Sequence, residues 1–487
     1  MEKEGIKDLS NADFKILMHQ AVDMIIDLYD NIHTKNVFQS KKRDEVYNLF
    51  KGSLPEKSTA IKSLLETIEE DVIPNTALHF SPHFYAWVTS NATQASILGD
   101  MLASALNVNA TTWLNAPASS ELEQRVIRWI IEFIDFDSSS DGILLSGGSL
   151  SNFTGIRVAI NQKCPYNYLH SGFDRLRPIR IYTSEQSHFC IDRAVASLGI
   201  GTENLVKVKV GVDYKMNLDD LVNKIEKDIS SGFIPIAVIA NAGTVNSGAI
   251  DPIKDLSVIC KKYNLWLHVD AAYGGFAASV TELRNREFKG LELADSLTID
   301  LHKWLFVPFE CGALLVKSHG HLKDTFSLIP AYQKFQLDEN KVDFSEYSMQ
   351  QSRNFKALKV WMNFKAYGSE KLKQSISHSI ELMNYLGGLI RSSEDFELMA
   401  PVSLSVICFR YVPPKKLLDT NSLNSLNQDI INDSERDGRV FIRETTLNGN
   451  IIIRACCTNF RREKENIKYL IEVLRELGIR NAHKYCR

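Results

Sequence analysis

Between Gly142 and Lys317, short apolar runs alternate with helical stripes, and no other feature restricts the fold of this chain so strongly. IRIYTS, LVKVKV, IAVIANA, LWLHVDA, SLTIDL and GALLVK have the length and the β-branched content of buried strands. Between two of them Leu218, Leu221, Ile225 and Ile229 recur at helical spacing. Strands joined by helices return parallel to one another, because a crossover of that length packs on a face of the sheet. The expectation is an α/β protein with a mostly parallel central sheet and helices on both faces. Ligands of such sheets bind beyond the carboxyl ends of the strands, so the residues just after each run are where chemistry belongs.

Three of those ends carry reactive or ligand-holding groups. Asp295–Trp304, DSLTIDLHKW, reads as a buried strand whose last turn presents Lys303 to a cleft. Lysine is a poor nucleophile while protonated, so a covalent role calls for a partly desolvated site that lowers its pKa and for a carbonyl partner such as an aldehyde cofactor. By itself, a lysine after a strand is more often a solvated loop residue. Leu265–Gly275, LWLHVDAAYGG, runs through His268 to Asp270, Ala271 and Ala272, leaving room for something flat beside a carboxylate. Alone, Asp270 reads as the cap of the next helix. Together the amine and the acid suit pyridoxal phosphate (PLP), which needs a lysine for its aldehyde and an acidic partner for its pyridine nitrogen. Gly142–Gly155, GILLSGGSLSNFTG, turns at Gly147 and Gly148 and enters a helix, so free N–H groups and the positive helix end converge where a phosphate would sit. It is not the Gly-x-Gly-x-x-Gly pattern and has no Walker lysine, which lowers support for a nucleotide.

The 487 residues exceed one compact core. Residues 1–80 read as an N-terminal helical segment, 81–368 as a large PLP-binding α/β domain and 369–487 as a smaller α+β domain. The first segment is expected to hold a helix from Asn11 to about Phe50. With 56 basic against 59 acidic residues the formal net charge is −3, which argues against nucleic acid and anionic membranes as partners. Eight scattered cysteines show neither metal-ligand spacing nor a disulfide framework, so no metal is expected and a cytoplasmic location is. The first residues, MEKEGIKDLSNADFK, lack an apolar signal core, and no run approaches the roughly twenty apolar residues that cross a bilayer. AYQKFQLDENKVDFSEYSM, from Ala331 to Met349, loses both periodicities and reads as either a mobile lid or a disordered stretch.

GGSLSN, His188 within YTSEQSHFCIDRA, Thr244 within NAGTVNSGAIDP, HVDAAYGG and DLHKWLFVPFECGALLVK resemble, in that order, the motifs of the group II PLP-dependent amino-acid decarboxylases. That family includes aromatic-L-amino-acid, glutamate, cysteine-sulfinate and diaminobutyrate decarboxylases, and the resemblance runs from about the first helix to the C-terminus. It implies PLP fold type I, the aspartate-aminotransferase-like arrangement, and a homodimer in which the N-terminal helical segment interlocks with a second subunit. It further implies Lys303 as the covalent anchor, Asp270 at the pyridine nitrogen, His188 on the ring face, and Tyr332 on a closing lid as proton donor to Cα. Gly148, Ser149, Leu150, Asp300 and His302 match positions near the phosphate, and Thr244 and Ala272 match positions beside the ring. Relatives carry asparagine where this chain has Asp300; a carboxylate there would repel a phosphate unless protonated or turned away.

His79, Trp87, Ser90, Asn109 and Thr111 match substrate-pocket positions, the stretch around Asn109 and Thr111 being contributed across the dimer, and Arg353 matches a position near cofactor and lid. The resemblance is greatest to the aromatic-L-amino-acid branch. It implies decarboxylation of an L-amino acid, aromatic with a phenolic ring favoured, to the amine and CO₂. Polar groups at His79, Asn109 and Thr111 favour a hydroxylated, smaller or more polar side chain over indole. Ser352 sits where plant relatives that prefer phenolic substrates also carry serine. The retained Tyr332 and His188 imply an amine product rather than an aldehyde. Three alternatives stay open: a small acidic or polar substrate of the glutamate, cysteine-sulfinate or diaminobutyrate type, suggested by SGGSLSN; an aldehyde synthase; and a catalytically silent dimeric binding protein.

Overall fold

The computed structural model describes residues 6–174, 177–327, 341–414 and 418–485. The apolar runs of the central region form β1 (Asp141–Leu145), β2 (Ile179–Ser184), β3 (Leu205–Val208), β4 (Ile234–Asn241), β5 (Trp266–Asp270), β6 (Ser296–Asp300) and β7 (Gly312–Val316). They make one sheet in the order β1-β7-β6-β5-β4-β2-β3, in which β7 runs opposite to the other six. Every residue of β5, β6 and β7 is buried, as covering on both faces requires. The helix Gly148–Lys163 lies across β4 to β7. A Cβ on Gly155 would come 2.6 Å from Cε1 of His268, so glycine is what lets this helix settle on that imidazole.

A second, antiparallel sheet, β10-β11-β9-β8, comprises β8 (Phe396–Leu398), β9 (Val406–Tyr411), β10 (Arg443–Leu447) and β11 (Asn450–Cys456). The helices Thr420–Asp437 and Lys464–Ala482 bury Leu426, Ile430, Leu470 and Leu474 with Phe409 and Ile453 of that sheet. Residues 82–85, within the stretch 81–368, cross to this sheet: Tyr85 N–H donates to Phe441 O, and Cys456 N–H donates to Tyr85 O. Among the described residues the fully buried Arg462 has no carboxylate in ion-pair distance. It donates instead to the carbonyls of Pro82, Phe84 and Cys456, with its guanidinium 3.9 Å from the Tyr85 ring centre. The helix Lys356–Arg391 joins the two sheets and breaks its regular backbone at Gly368, where φ is +72°.

The N-terminal helix is shorter than its periodicity suggests. It spans Asn11–Asp30, opened by Ser10, whose hydroxyl accepts from Asp13 N–H at 3.1 Å, and the next helix begins only at Arg43. Asn31 ends it by donating its side-chain amide to Asp27 O, and Val37 is then fully buried between backbone bonds to Gly438 and Leu78. Those long-range anchors override the local apolar spacing. Among the described residues no helix is long and apolar enough to cross a membrane.

Candidate active site

The strand ends converge as the sheet geometry requires. Registers Asn241↔Asp270 and Asp270↔Thr298 put the last residues of β4 and β5 side by side with Thr298, two residues before the end of β6, and a cavity of about 480 Å³ opens over these strand ends. Its lining includes Lys303, Asp270, His188, Thr244, Ala272 and Trp87. Gly148, Ser149, Leu150, Asp300 and His302 line it as well, so eleven positions singled out from the sequence share one wall.

Asp270 ends β5 with both oxygens held. Oδ1 accepts Ala272 N–H at 3.1 Å, and Oδ2 accepts the Asn152 side-chain amide at 3.0 Å. Burial pushes its carboxyl above the ordinary value; the charge of Lys303 and the two donated bonds pull the other way, while Asp300 adds to the rise. Cys190, on the same wall, is pushed up to about 12 by burial and then by Asp270, so its thiol is inert.

The turn after β1 brings the start of the helix Gly148–Lys163 to the cavity. First-turn N–H groups have no carbonyl of their own helix to bond, and here they face a cleft. A Cβ on Gly148 would lie 2.9 Å from both Ala272 Cβ and Asp300 Oδ2, so any larger residue would close the cradle.

Lys303, in the single turn after β6, places Nζ 3.0 Å from Asp300 Oδ2. Burial alone would lower its pKa, but the charge and hydrogen bond of Asp300, with Asp270 behind, outweigh burial and raise it. This corrects the expectation of a depressed lysine: an adjacent carboxylate stabilises the ammonium more than desolvation opposes it. Asp300 is thus turned toward Lys303, while its Oδ1 is buried without a hydrogen-bond partner among the described residues. His302 accepts Cys311 N–H on Nδ1, leaving Nε2 3.6 Å from Asp300 Oδ2. His188 accepts Cys190 N–H on Nδ1, and burial, then Lys303, lowers its pKa, which keeps the ring neutral near pH 7. Thr244 is buried and accepts Ala249 N–H.

The model of the pyridoxal-dependent decarboxylase conserved domain matches residues 44–412. The chain belongs to this family. It is similar to an aromatic-L-amino-acid decarboxylase of Bacillus atrophaeus, 31% identical over 472 residues and covering 96% of each chain. It is also similar to a phenylacetaldehyde synthase of Arabidopsis thaliana, 28% identical with 98% of each covered. The crystal structure of Catharanthus roseus tryptophan decarboxylase in complex with L-tryptophan superposes with a TM-score of 0.90 at 27% identity, over 98% of this chain and 100% of that one. As a pyridoxal-dependent decarboxylase the protein uses PLP and acts on an amino acid. The cavity fits that cofactor: an amine, a buried acid held by donors, a helix start shaped for an anion, and small residues at Gly148 and Ala272.

Not every expected pocket residue reaches this wall in the single chain of the decarboxylase. His79 packs on Phe84 at 4.5 Å, and Ser90 is buried with its hydroxyl on Asn91 O. Asn109 accepts Arg353 N–H at 3.0 Å and bonds the Thr111 hydroxyl, which also donates to Gln351 O. Arg353 forms a buried ion pair with Glu123 and donates to the carbonyls of Ala110 and Leu144. The desolvated carboxylate draws the guanidinium away from the cavity. Tyr332 lies outside the described residues. Conversely, Asn152, Phe309 and Glu310 line the cavity although the sequence did not single them out. Asn152 falls within the helix start of the motif Gly142–Gly155, and its place one turn beyond Gly148, on the sheet side, is the available signal.

Two buried histidines predict acid sensitivity. Burial pushes His268 down to about 3, and burial with Arg462 pushes His83 down to about 4. Below the free-histidine value of 6.5 the unfolded chain binds protons that the folded state refuses, so stability falls as pH drops from about 6.5 toward 4 and 3. The thermal midpoint should decline steadily from pH 7 to pH 4; a flat profile would mean that both rings are solvated.

Proposed function

We propose that the protein converts an aromatic L-amino acid, with a phenolic ring preferred, to the corresponding amine and CO₂. One observation carries this reading: the Lys303 and Asp270 pair shares its cavity with the apolar and aromatic side chains of Trp87, Val88 and Phe309. Among the described lining residues there is no arginine to meet an acidic side chain, and Glu310 would repel one. This weighs against a glutamate or cysteine-sulfinate substrate.

Bound PLP supplies the electron sink for cleavage of the Cα–carboxylate bond. Asp270 would offer its carboxylate to the ring nitrogen, and Gly148, Ser149 and Leu150 would offer first-turn donors to the phosphate, with His302 beside them. Thr244 and Ala272 would bound the ring, and neutral His188 would lie against its face. Lys303 would hold the cofactor covalently through its Nζ once that amine is deprotonated, the aldehyde oxygen leaving as water. Tyr332 would deliver the proton to Cα, which would make the amine rather than an aldehyde the product. The active form is a homodimer: the helix Asn11–Asp30 buries none of its residues in the single chain, with Phe14, Ile16 and Ile25 at least 40% exposed. In that dimer the Asn109–Thr111 stretch, together with His79, Ser90 and Arg353, borders the substrate pocket. Sedimentation as a monomer in the active preparation would count against this arrangement. Seven described cysteines are free thiols, in keeping with the cytoplasm.

The test is to incubate the holoenzyme with each L-amino acid and measure CO₂, amine and aldehyde together. Tyrosine or another hydroxylated aromatic should give CO₂ and amine in equal amounts. Turnover of acidic substrates alone, or aldehyde as the main product, overturns the reading.

The ion pair at the anchor adds a prediction that does not depend on turnover. Asp300 holds a proton on Lys303 Nζ, so cofactor loading by the apoprotein should accelerate as pH rises. Asp300→Asn should lower the lysine pKa and speed loading at pH 7 roughly tenfold, since one unit of pKa is a tenfold change in neutral amine. Stopped-flow absorbance of the bound cofactor reads the rate, and an unchanged pH profile in the variant would rule out control by Asp300.

A further inference from the structure

We propose that His268 and Asn152 are positioning residues that, with Ser296 and Trp266, form a directed hydrogen-bond chain ending on Asp270 and holding a shared proton on the cofactor ring. This rests on the reading that Asp270 faces the ring nitrogen.

The chain follows from strand periodicity. Trp266, His268 and Asp270 alternate onto one face of β5, and the register pairs His268 with Ser296 and Asp270 with Thr298 on β6. The helix Gly148–Lys163 covers that face, bringing Asn152 over it, and Gly155 leaves space for the imidazole. The contacts run Trp266 Nε1 to Ser296 Oγ at 2.8 Å, Ser296 Oγ to His268 Nδ1 at 2.7 Å, His268 Nε2 to Asn152 Oδ1 at 2.8 Å, and Asn152 Nδ2 to Asp270 Oδ2 at 3.0 Å. Ser296, His268 and Asn152 are fully buried, out of reach of solvent.

The donor direction is set from the Asp270 end. A carboxylate only accepts, so the amide group facing Asp270 is Nδ2–H, and Asn152 Oδ1 is left to His268 Nε2, which must carry hydrogen. At the other end the indole N–H donates to Ser296, whose own hydrogen is then available to His268 Nδ1, the nitrogen left bare by the first assignment. The Trp266 end is compatible with the tautomer that the Asp270 end sets. The remaining neighbours agree: Thr298 Oγ1 lies 3.4 Å from Nε2 as a second acceptor, and the other Asn152 hydrogen meets Cys190 Sγ at 3.5 Å. Burial keeps His268 neutral, with a pKa of about 3, so it carries one ring proton across the working range.

An N–H donated to a carboxylate lowers its affinity for a proton, and a polarised chain behind that donor strengthens the effect. Asp270 receives one such bond from Ala272 and one from Asn152. When it shares a proton with the pyridine nitrogen, these bonds bias the proton to the ring, where positive charge makes the ring the better electron acceptor.

The experiment loads the enzyme with PLP carrying ¹⁵N at the ring nitrogen and follows that resonance in Asn152→Leu, His268→Phe, His268→Gln and Asp270→Asn. The wild type should show a pyridinium-like shift. Asn152→Leu and His268→Phe should move it toward neutral pyridine and lower kcat roughly ten- to a hundredfold, with KM for the best amino acid nearly unchanged. His268→Gln, whose amide N–H can replace Nε2–H, should recover part of both, a rescue that loss of packing alone would not produce. If Asp270→Asn leaves the resonance in place, Asp270 does not serve the ring nitrogen and the proposal falls with that assignment. If Asp270→Asn moves it while Asn152→Leu and His268→Phe do not, the chain alone is refuted. Should Asn152→Leu fail to fold, equal shifts in His268→Phe and His268→Gln would overturn the directed chain.

Discussion

Lys303→Ala is expected to lower decarboxylation by roughly 10⁴-fold or more, because it removes the amine proposed to bond the cofactor aldehyde. In the wild type, borohydride reduction should leave pyridoxyl mass on the peptide holding Lys303, and in the variant on no peptide. The substitution also strips the cation from Asp300, whose Oδ2 lies 3.0 Å from Nζ in a buried setting. An unpaired buried carboxylate is costly, so two controls accompany it. Lys303→Arg keeps a charge beside Asp300, and Lys303→Ala with Asp300→Asn removes both charges. All three should lose the adduct and the activity, although their stabilities differ. An adduct on another peptide of the wild type would falsify the assignment of Lys303.

Arg353→Met should be among the most destabilising single changes in the chain, by about 3–5 kcal/mol. The side chains of Arg353 and Glu123 are 3% and 1% exposed, and Glu123 also accepts Leu144 N–H at 2.9 Å. The pair therefore ties the helix Pro117–Phe133 to β1 and to the segment that enters the helix Lys356–Arg391. Removing the guanidinium leaves the carboxylate desolvated with that one backbone donor. Truncating both partners, as Arg353→Met with Glu123→Leu, should restore most of the loss, because no charge then stays buried. Urea midpoints of the two variants measure this. A variant of wild-type stability that only loses kcat would show that Arg353 acts at the substrate pocket and not through its ion pair with Glu123.

The parts of the site carried by strand ends were readable in advance, since a strand's period of two and the Gly147–Gly148 turn are local properties. Asp270, Thr244, Lys303 and the start of the helix at Gly148 therefore meet where alternation places them. Asn152 escaped notice because its role depends on which helix face meets β5, and that is settled by how the helix docks. Arg353 went the other way: the motif around it resembles a cofactor-side arginine, but Glu123, 230 positions earlier, is what it meets in the fold. The break after Asp30 was likewise invisible, because Val37 is pinned by Gly438 and Leu78 rather than by its neighbours.

Sequence by itself determined the α/β class and the order of the reactive groups, which follow from periodicity and side-chain chemistry, while the cofactor is what the resemblance of the five ordered motifs to the decarboxylase family implies. Tertiary structure alone decided the charge states and the pairings. Lys303 is held as an ammonium by Asp300, and His268 is neutral and directed through Asn152 onto Asp270. The physical reason is that desolvation and hydrogen-bond direction depend on atoms a few ångströms away in space, whose distance along the chain carries no such information.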